Sequence, residues 1–201
     1  MDAPACGSTD TSRRAGCGGF TLIELIIVIV LLGILAAVGS NMLSDSFTTT
    51  RMVNDGYARQ AEARYVIERL AREIREVKYL SSGSYCITTM TSSQLEYQKP
   101  NVGSADQTNC STESSTVTIG YSDSALLKSL TIGYSSPSAS GTLTNAVADS
   151  GFGFSYFQSD GTTAATGNAD VRAVGIRLAV PDPSNSANFE QNVRVSLRNS
   201  S

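Results

Sequence analysis

Glu24 is a carboxylate at the mouth of an apolar run, and its setting asks for a chemical partner. No charged residue follows it until Asp45, so Leu25 to Ser44 form 20 uncharged residues. At ~1.5 Å per helical residue these reach about 30 Å, the thickness of a bilayer's hydrocarbon core. A charge at mid-bilayer costs ~2.5–3.5 kcal/mol, and less near the end of a span. Glu24 therefore calls for a cation or a donor. Three roles fit: an ionic partner for another chain, a helix cap, or an incidental acid in a signal anchor. Thr21-Leu22-Ile23-Glu24 matches the S/T-x-x-E capping box, in which the acid satisfies a backbone N–H at a helix start. Capping and pairing do not exclude each other. A small-residue break point, Gly18-Gly19, lies just upstream.

Gly19, Phe20, Thr21, Leu22 and Glu24 resemble the processing site of type IV prepilins and type II secretion pseudopilins. The resemblance implies cleavage after Gly19 by a membrane-embedded prepilin peptidase and N-methylation of Phe20. It also implies that Glu24 meets the N-terminal amine of a neighbouring subunit as helices pack into a filament. The partners it implies are that peptidase, other pilin or pseudopilin subunits, and the inner membrane.

Residues 1–19 have no apolar middle of their own, unlike a secretory leader. Ser12-Arg13-Arg14 lacks the rest of a twin-arginine signal, and no apolar stretch precedes Ala15-Gly16-Cys17 as a lipoprotein site would require. Basic residues flanking a span stay in the cytoplasm, so Arg13 and Arg14 place the leader inside and residues 45–201 outside. With the leader removed, Cys6 and Cys17 go and Cys86 and Cys110 remain. In an exported domain this even pair reads as a disulfide. The loop of roughly 25 residues that it closes is worth about 3–4 kcal/mol on the chain-entropy model.

The composition narrows the chemistry. Histidine and tryptophan are absent altogether, which removes the commonest general base and metal ligand and a common ring for carbohydrate stacking. No P-loop, nucleophile elbow, paired-carboxylate motif or CxxC can be placed. Asp149, Asp160 and Asp170 are too scattered for a calcium loop. The net charge is −3, and residues 81–201 hold nine acids against six bases. No electrostatic footprint for nucleic acid results. The expectation is a non-enzymatic chain with no catalytic residues, no metal and no cofactor.

Periodicity then supplies the elements. Ala63, Ile67, Leu70, Ile74 and Val77 recur at spacings of three and four, widened by Val66 and Ala71. Arg64, Glu68, Arg72, Arg75 and Glu76 lie opposite, offering i,i+4 pairs Arg64–Glu68, Glu68–Arg72 and Arg72–Glu76. The six basic residues from Arg59 to Lys78 alternate with acids, the pattern of a solvated face. One helix is predicted from about Thr21 to Leu80, apolar all round in its first half and amphipathic in its second. Gly39-Ser40 is its expected weak point for a bend or local melting.

Beyond Leu80 the chain turns to Ser, Thr, Gly and Asn. Strands are predicted at Tyr85–Thr89, Gln94–Gln98, Ser115–Tyr121, Ser129–Tyr134, Gly153–Gln158, Asp170–Val180 and Asn188–Leu197. Broken alternation around Gly175 predicts a bulge. Clean alternation of Val193, Val195 and Leu197 with Arg194, Ser196 and Arg198 predicts a half-exposed antiparallel strand.

The expected fold class is α+β: a long N-terminal helix packed on an antiparallel sheet head, which the pilin resemblance also implies. The expected segments are a cleaved leader (1–19), a transmembrane or filament-core helix (20–44), an amphipathic helix (45–80) and a periplasmic β-rich head of about 120 residues (81–201). Arg64 to Arg75 and Val193–Asn199 also resemble larger minor pilins: the MSHA pilus biogenesis protein of the O type, the W-type minor pilin and the J-type minor pseudopilin. A minor pilin-like subunit for pilus initiation or tip assembly leads. A type II secretion pseudopilin, or a pilus-displayed adhesin head, is the alternative.

Overall fold

The structure is a computed structural model that describes residues 20–100, 108–110, 115–124, 128–183 and 187–197. The chain divides after Thr48 into two compact units. One helix, α1, spans Leu22–Arg75. It continues through Gly39-Ser40, so the expected local melting there does not occur. Its start is set by Thr21, whose Oγ1 accepts from the Glu24 amide at 3.3 Å and whose carbonyl accepts from the Leu25 amide at 3.2 Å. These are the first bonds an N-cap makes.

The helix ends before Leu80 because the sheet takes over its backbone. Its last turn tightens, with Glu76 and Val77 amides bonding to the Glu73 and Ile74 carbonyls. The Lys78 amide then donates to Gln98 O at 2.8 Å, and Lys78 O accepts from the Cys86 amide at 2.9 Å. Gly83, at φ 86°, allows the chain to turn between Leu80 and Ser84.

Eight strands follow. β1 (Ile87–Met90), β2 (Gln94–Lys99), β3 (Ser115–Asp123), β4 (Lys128–Ser135) and β5 (Ser138–Thr144) form one antiparallel sheet in chain order. β6 (Phe152–Phe157), β7 (Ala173–Pro181) and β8 (Asn188–Ser196) form a second antiparallel sheet. The architecture is thus α+β, a long N-terminal helix followed by antiparallel sheets.

The bulge expected at Gly175 is absent. β7 pairs without a shift to both neighbours, Ser155 opposing Gly175 on one side and Arg194 on the other. Its alternation fails because seven of its nine residues are packed, not because its register slips: only Arg177 and Pro181 are exposed, so the strand is buried on both faces. Glycine is needed at 175 because a Cβ there would press on Ser155 Oγ and come within 3.0 Å of Phe157 Cε2. The register shifts lie instead at Ile87/Thr89 and Leu130/Thr131.

The core sits in the second unit. Ala63, Val66, Ile67, Leu70 and Ile74 of α1 join Leu95, Tyr97, Val117, Ile119, Leu130 and Ile132 of the first sheet and Val174, Ile176, Leu178 and Val195 of the second in one buried cluster. The predicted helix stripe is the buried one, and Arg64, Glu68, Arg72, Arg75 and Glu76 are exposed.

Candidate functional site

The first unit has no such core. Phe20 is 81% exposed and Leu22 77%, and the large apolar side chains from Ile23 to Leu43 are likewise exposed on all sides of the helix. A helix apolar all round is stable only inside lipid or among other apolar surfaces. This one is long and apolar enough to cross a membrane.

Glu24 sits at the third position of this helix, close to the positive end of the macrodipole, where a carboxylate is favoured. Only half of the capping box forms: Thr21 caps the Glu24 amide, which leaves the Glu24 carboxylate free of that duty. Among the described residues it has no ion pair, and it is exposed. Phe20 precedes the cap by one residue. Gly19, the other half of the predicted scission point, lies outside the described residues, as does the leader with Cys6 and Cys17. A carboxylate at a helix start with no cation of its own can bind a cation brought by another molecule.

Cys86 and Cys110 are joined by a disulfide with Cα atoms 5.5 Å apart. The bridge encloses β1 and β2. Cys86 is buried and, through its amide and carbonyl, sits between Lys78 and Gln98. Lys78, also buried, reaches across to donate from Nζ to Asn109 O at 3.0 Å, beside the second cysteine.

A second polar cluster was not foreseen. Glu73 is buried on α1 and accepts from Tyr134 OH of β4 at 2.9 Å. Its carboxylate also lies 3.1 Å from Arg69 Nη2 and 2.5 Å from Lys99 Nζ of β2, and Lys99 in turn is 2.6 Å from Glu76. Burial works against the Lys99 ammonium, but the two carboxylates together outweigh it and hold its pKa above the ordinary value. These contacts replace the expected helix-surface pairs: Arg64, Glu68 and Arg72 form no ion pair with one another among the described residues. Spacing offers Arg69–Glu73 as an i,i+4 pair but not the rest of the cluster, because Glu73 borders the buried stripe and Lys99 and Tyr134 lie in strands far along the chain. The cluster ties helix to sheet. Asp160, exposed, accepts from the Thr163 hydroxyl and from the Thr162 and Thr163 amides, the last two at 2.9 Å each, which lowers its pKa and locks a turn. No group of three or more metal-type ligands occurs among the described residues.

Comparison with known proteins adds one finding. Residues 14–40 match the family model of the prokaryotic N-terminal methylation motif. The match spans the Gly19-Phe20 junction, Glu24 and most of the apolar run, and it supports a type IV pilin or pseudopilin kind of subunit. No curated protein and no solved structure matches the chain.

Proposed function

We propose that this chain is a minor pilin-like structural subunit that helps to start, or to tip, a type IV pilus of the MSHA kind. In this reading a prepilin peptidase cuts between Gly19 and Phe20, and Phe20 becomes the N-methylated first residue. Residues 1–19 are the cytoplasmic leader. Residues 20–44 anchor the chain in the inner membrane and later pack in the filament core. Residues 45–80 link that helix to a periplasmic head at 81–201. The work is assembly, with no turnover.

The observation that carries the reading is the Glu24 carboxylate, lacking an ionic partner among the described residues, at the start of an exposed apolar helix and inside the matched motif. An N-terminal amine from a neighbouring subunit supplies the missing charge. The apolar neighbours needed to cover Leu22–Leu43 come with it.

Intact mass and N-terminal sequence of the protein from membranes containing a prepilin peptidase test the first step. A chain beginning at N-methyl-Phe20 is expected; a chain still carrying its leader, beside a processed control prepilin, sinks the proposal. Glu24→Ala tests the second step. The variant should fold and be cut normally yet be depleted from sheared filaments. Deleting the gene should abolish filaments. Deletion that halts protein secretion but spares pili would move the chain to the pseudopilins, and normal filaments with lost attachment would make the head an adhesin.

A further inference from the structure

An unprotected sheet edge invites pairing with another chain, and folded proteins usually cover, charge or shorten their edges. The two sheets present four edges. At β1 the Asn168 side-chain amide donates to Ile87 O at 2.8 Å and Thr88 O at 3.2 Å, capping a strand of only four residues. At β6, Ala164 bridges to Phe157, the Ala165 amide donates to Tyr156 O, and the Phe154 amide reaches Ser92 O. At β8, Glu190 and Arg194 are exposed, with Glu190 ion-paired to Arg177.

Among the described residues β5 is neither covered, charged nor short, and its one irregularity is the register shift between Thr142 and Thr144, at its far end. Ser138, Ala139, Ser140, Gly141 and Thr142 are consecutive, uncharged and all exposed, so neither face of this part of the strand is covered. The adjoining sheet carries a depression of ≈ 390 Å³ lined by Thr116, Thr118, Gly133 and Ser140.

From this contrast we infer that β5 is a docking edge for the β5 of a second copy of this chain, the two strands pairing antiparallel about a two-fold axis at Ser140. The sequence is self-complementary in that register. Ser138 faces Thr142, Ala139 faces Gly141 and Ser140 faces itself, giving hydroxyl pairs and small pairs with no like charges opposed. The edge itself carries only small exposed side chains from Ser138 to Thr142, and two-fold pairing closes it on itself. The two five-stranded sheets become one.

The pairing is read directly by oxidative crosslinking of the full-length chain. It is done at low expression in membranes lacking a prepilin peptidase, with Cys6→Ser and Cys17→Ser removing the leader thiols. Directly opposed residues of an antiparallel pair stand about 4.5–5.5 Å apart at Cα, within disulfide range. Ser140→Cys should therefore give a dimer band and Asn192→Cys, on the charged β8 edge, none. Adding Gly141→Lys, where nothing lies within 4 Å of a new Cβ, should lower the Ser140→Cys dimer severalfold through like-charge repulsion. Equal crosslinking at Asn192, or none at Ser140, overturns the inference. An adduct of a different mass at Ser140→Cys also overturns it, by assigning the edge to another protein. Uncut, unassembled chains are used, so failure of this pairing leaves the processing and filament results untouched.

Discussion

Glu24 and Glu73 are the same side chain in opposite circumstances. Glu24 is exposed with no ionic partner among the described residues, whereas Glu73 is buried and held by Arg69, Lys99 and Tyr134. Removing a partner from a buried carboxylate leaves a charge that the fold cannot resolvate. Lys99→Ala is expected to cost about 2–3 kcal/mol, read as a lower urea midpoint for the chain in detergent; an unchanged midpoint would show Arg69 alone suffices. Tyr97, next to this cluster, is fully buried, and its hydroxyl finds no hydrogen-bond partner among the described residues. Burial, then the Glu73 charge, drives its pKa far above the ordinary 10.0. The unfolded chain ionises there at about pH 10, so the stability tied to the neutral phenol is complete below that pH and is lost above it. The raised pKa of Lys99 acts in the same direction, its contribution being lost as pH rises through the folded-state value. Tyr97→Phe should leave stability at pH 7 unchanged or raised by ~1 kcal/mol and flatten the alkaline loss. A steeper loss in that variant would refute the assignment. At this scale Glu24 was legible because an acid beside 20 uncharged residues breaks a pattern. Glu73 was not, because its meaning depends on Lys99 and Tyr134, which only the folded sheet brings near.

Among the elements, β7 shows how burial can mimic irregularity. Its run Ala-Val-Gly-Ile does not alternate because both faces are packed. Gly175→Ala is expected to destabilise the head by about 1–3 kcal/mol through overpacking, with Ser155→Gly restoring part of the loss in the double variant; an additive double would mean that Ser155 is not the obstacle. The helix stripe and seven of the eight strands could be read from periodicity and β-branched content, to within a few residues at their ends. β5 could not be read: Ser-Ala-Ser-Gly-Thr-Leu-Thr alternates only hydroxyl with mostly small side chains and has little apolar content, and it becomes a strand through its pairing with β4. The true end of α1 was equally hidden, since it is fixed by Lys78 bonding to Gln98 and Cys86. Propensity within the helix does not carry that information.

On the scale of the whole molecule, the two units depend on different forces. Residues 20–48 expose their apolar surface and need lipid or neighbouring helices to cover it. The remainder owns a core and a covalent tie. Reduction of Cys86–Cys110, whose sequence separation is 24, should lower the stability of the head by about 3–4 kcal/mol. Chemical unfolding with and without reductant checks this, and coincident curves would mean that the bridge does not constrain the unfolded chain. The same bridge has a consequence for wear. It encloses β1 and β2 while β3 holds β2 by backbone pairing outside it. A single protease cut anywhere between Cys86 and Cys110 therefore severs the chain without releasing a fragment. A nicked head stays joined to its helix until something reduces the sulfurs.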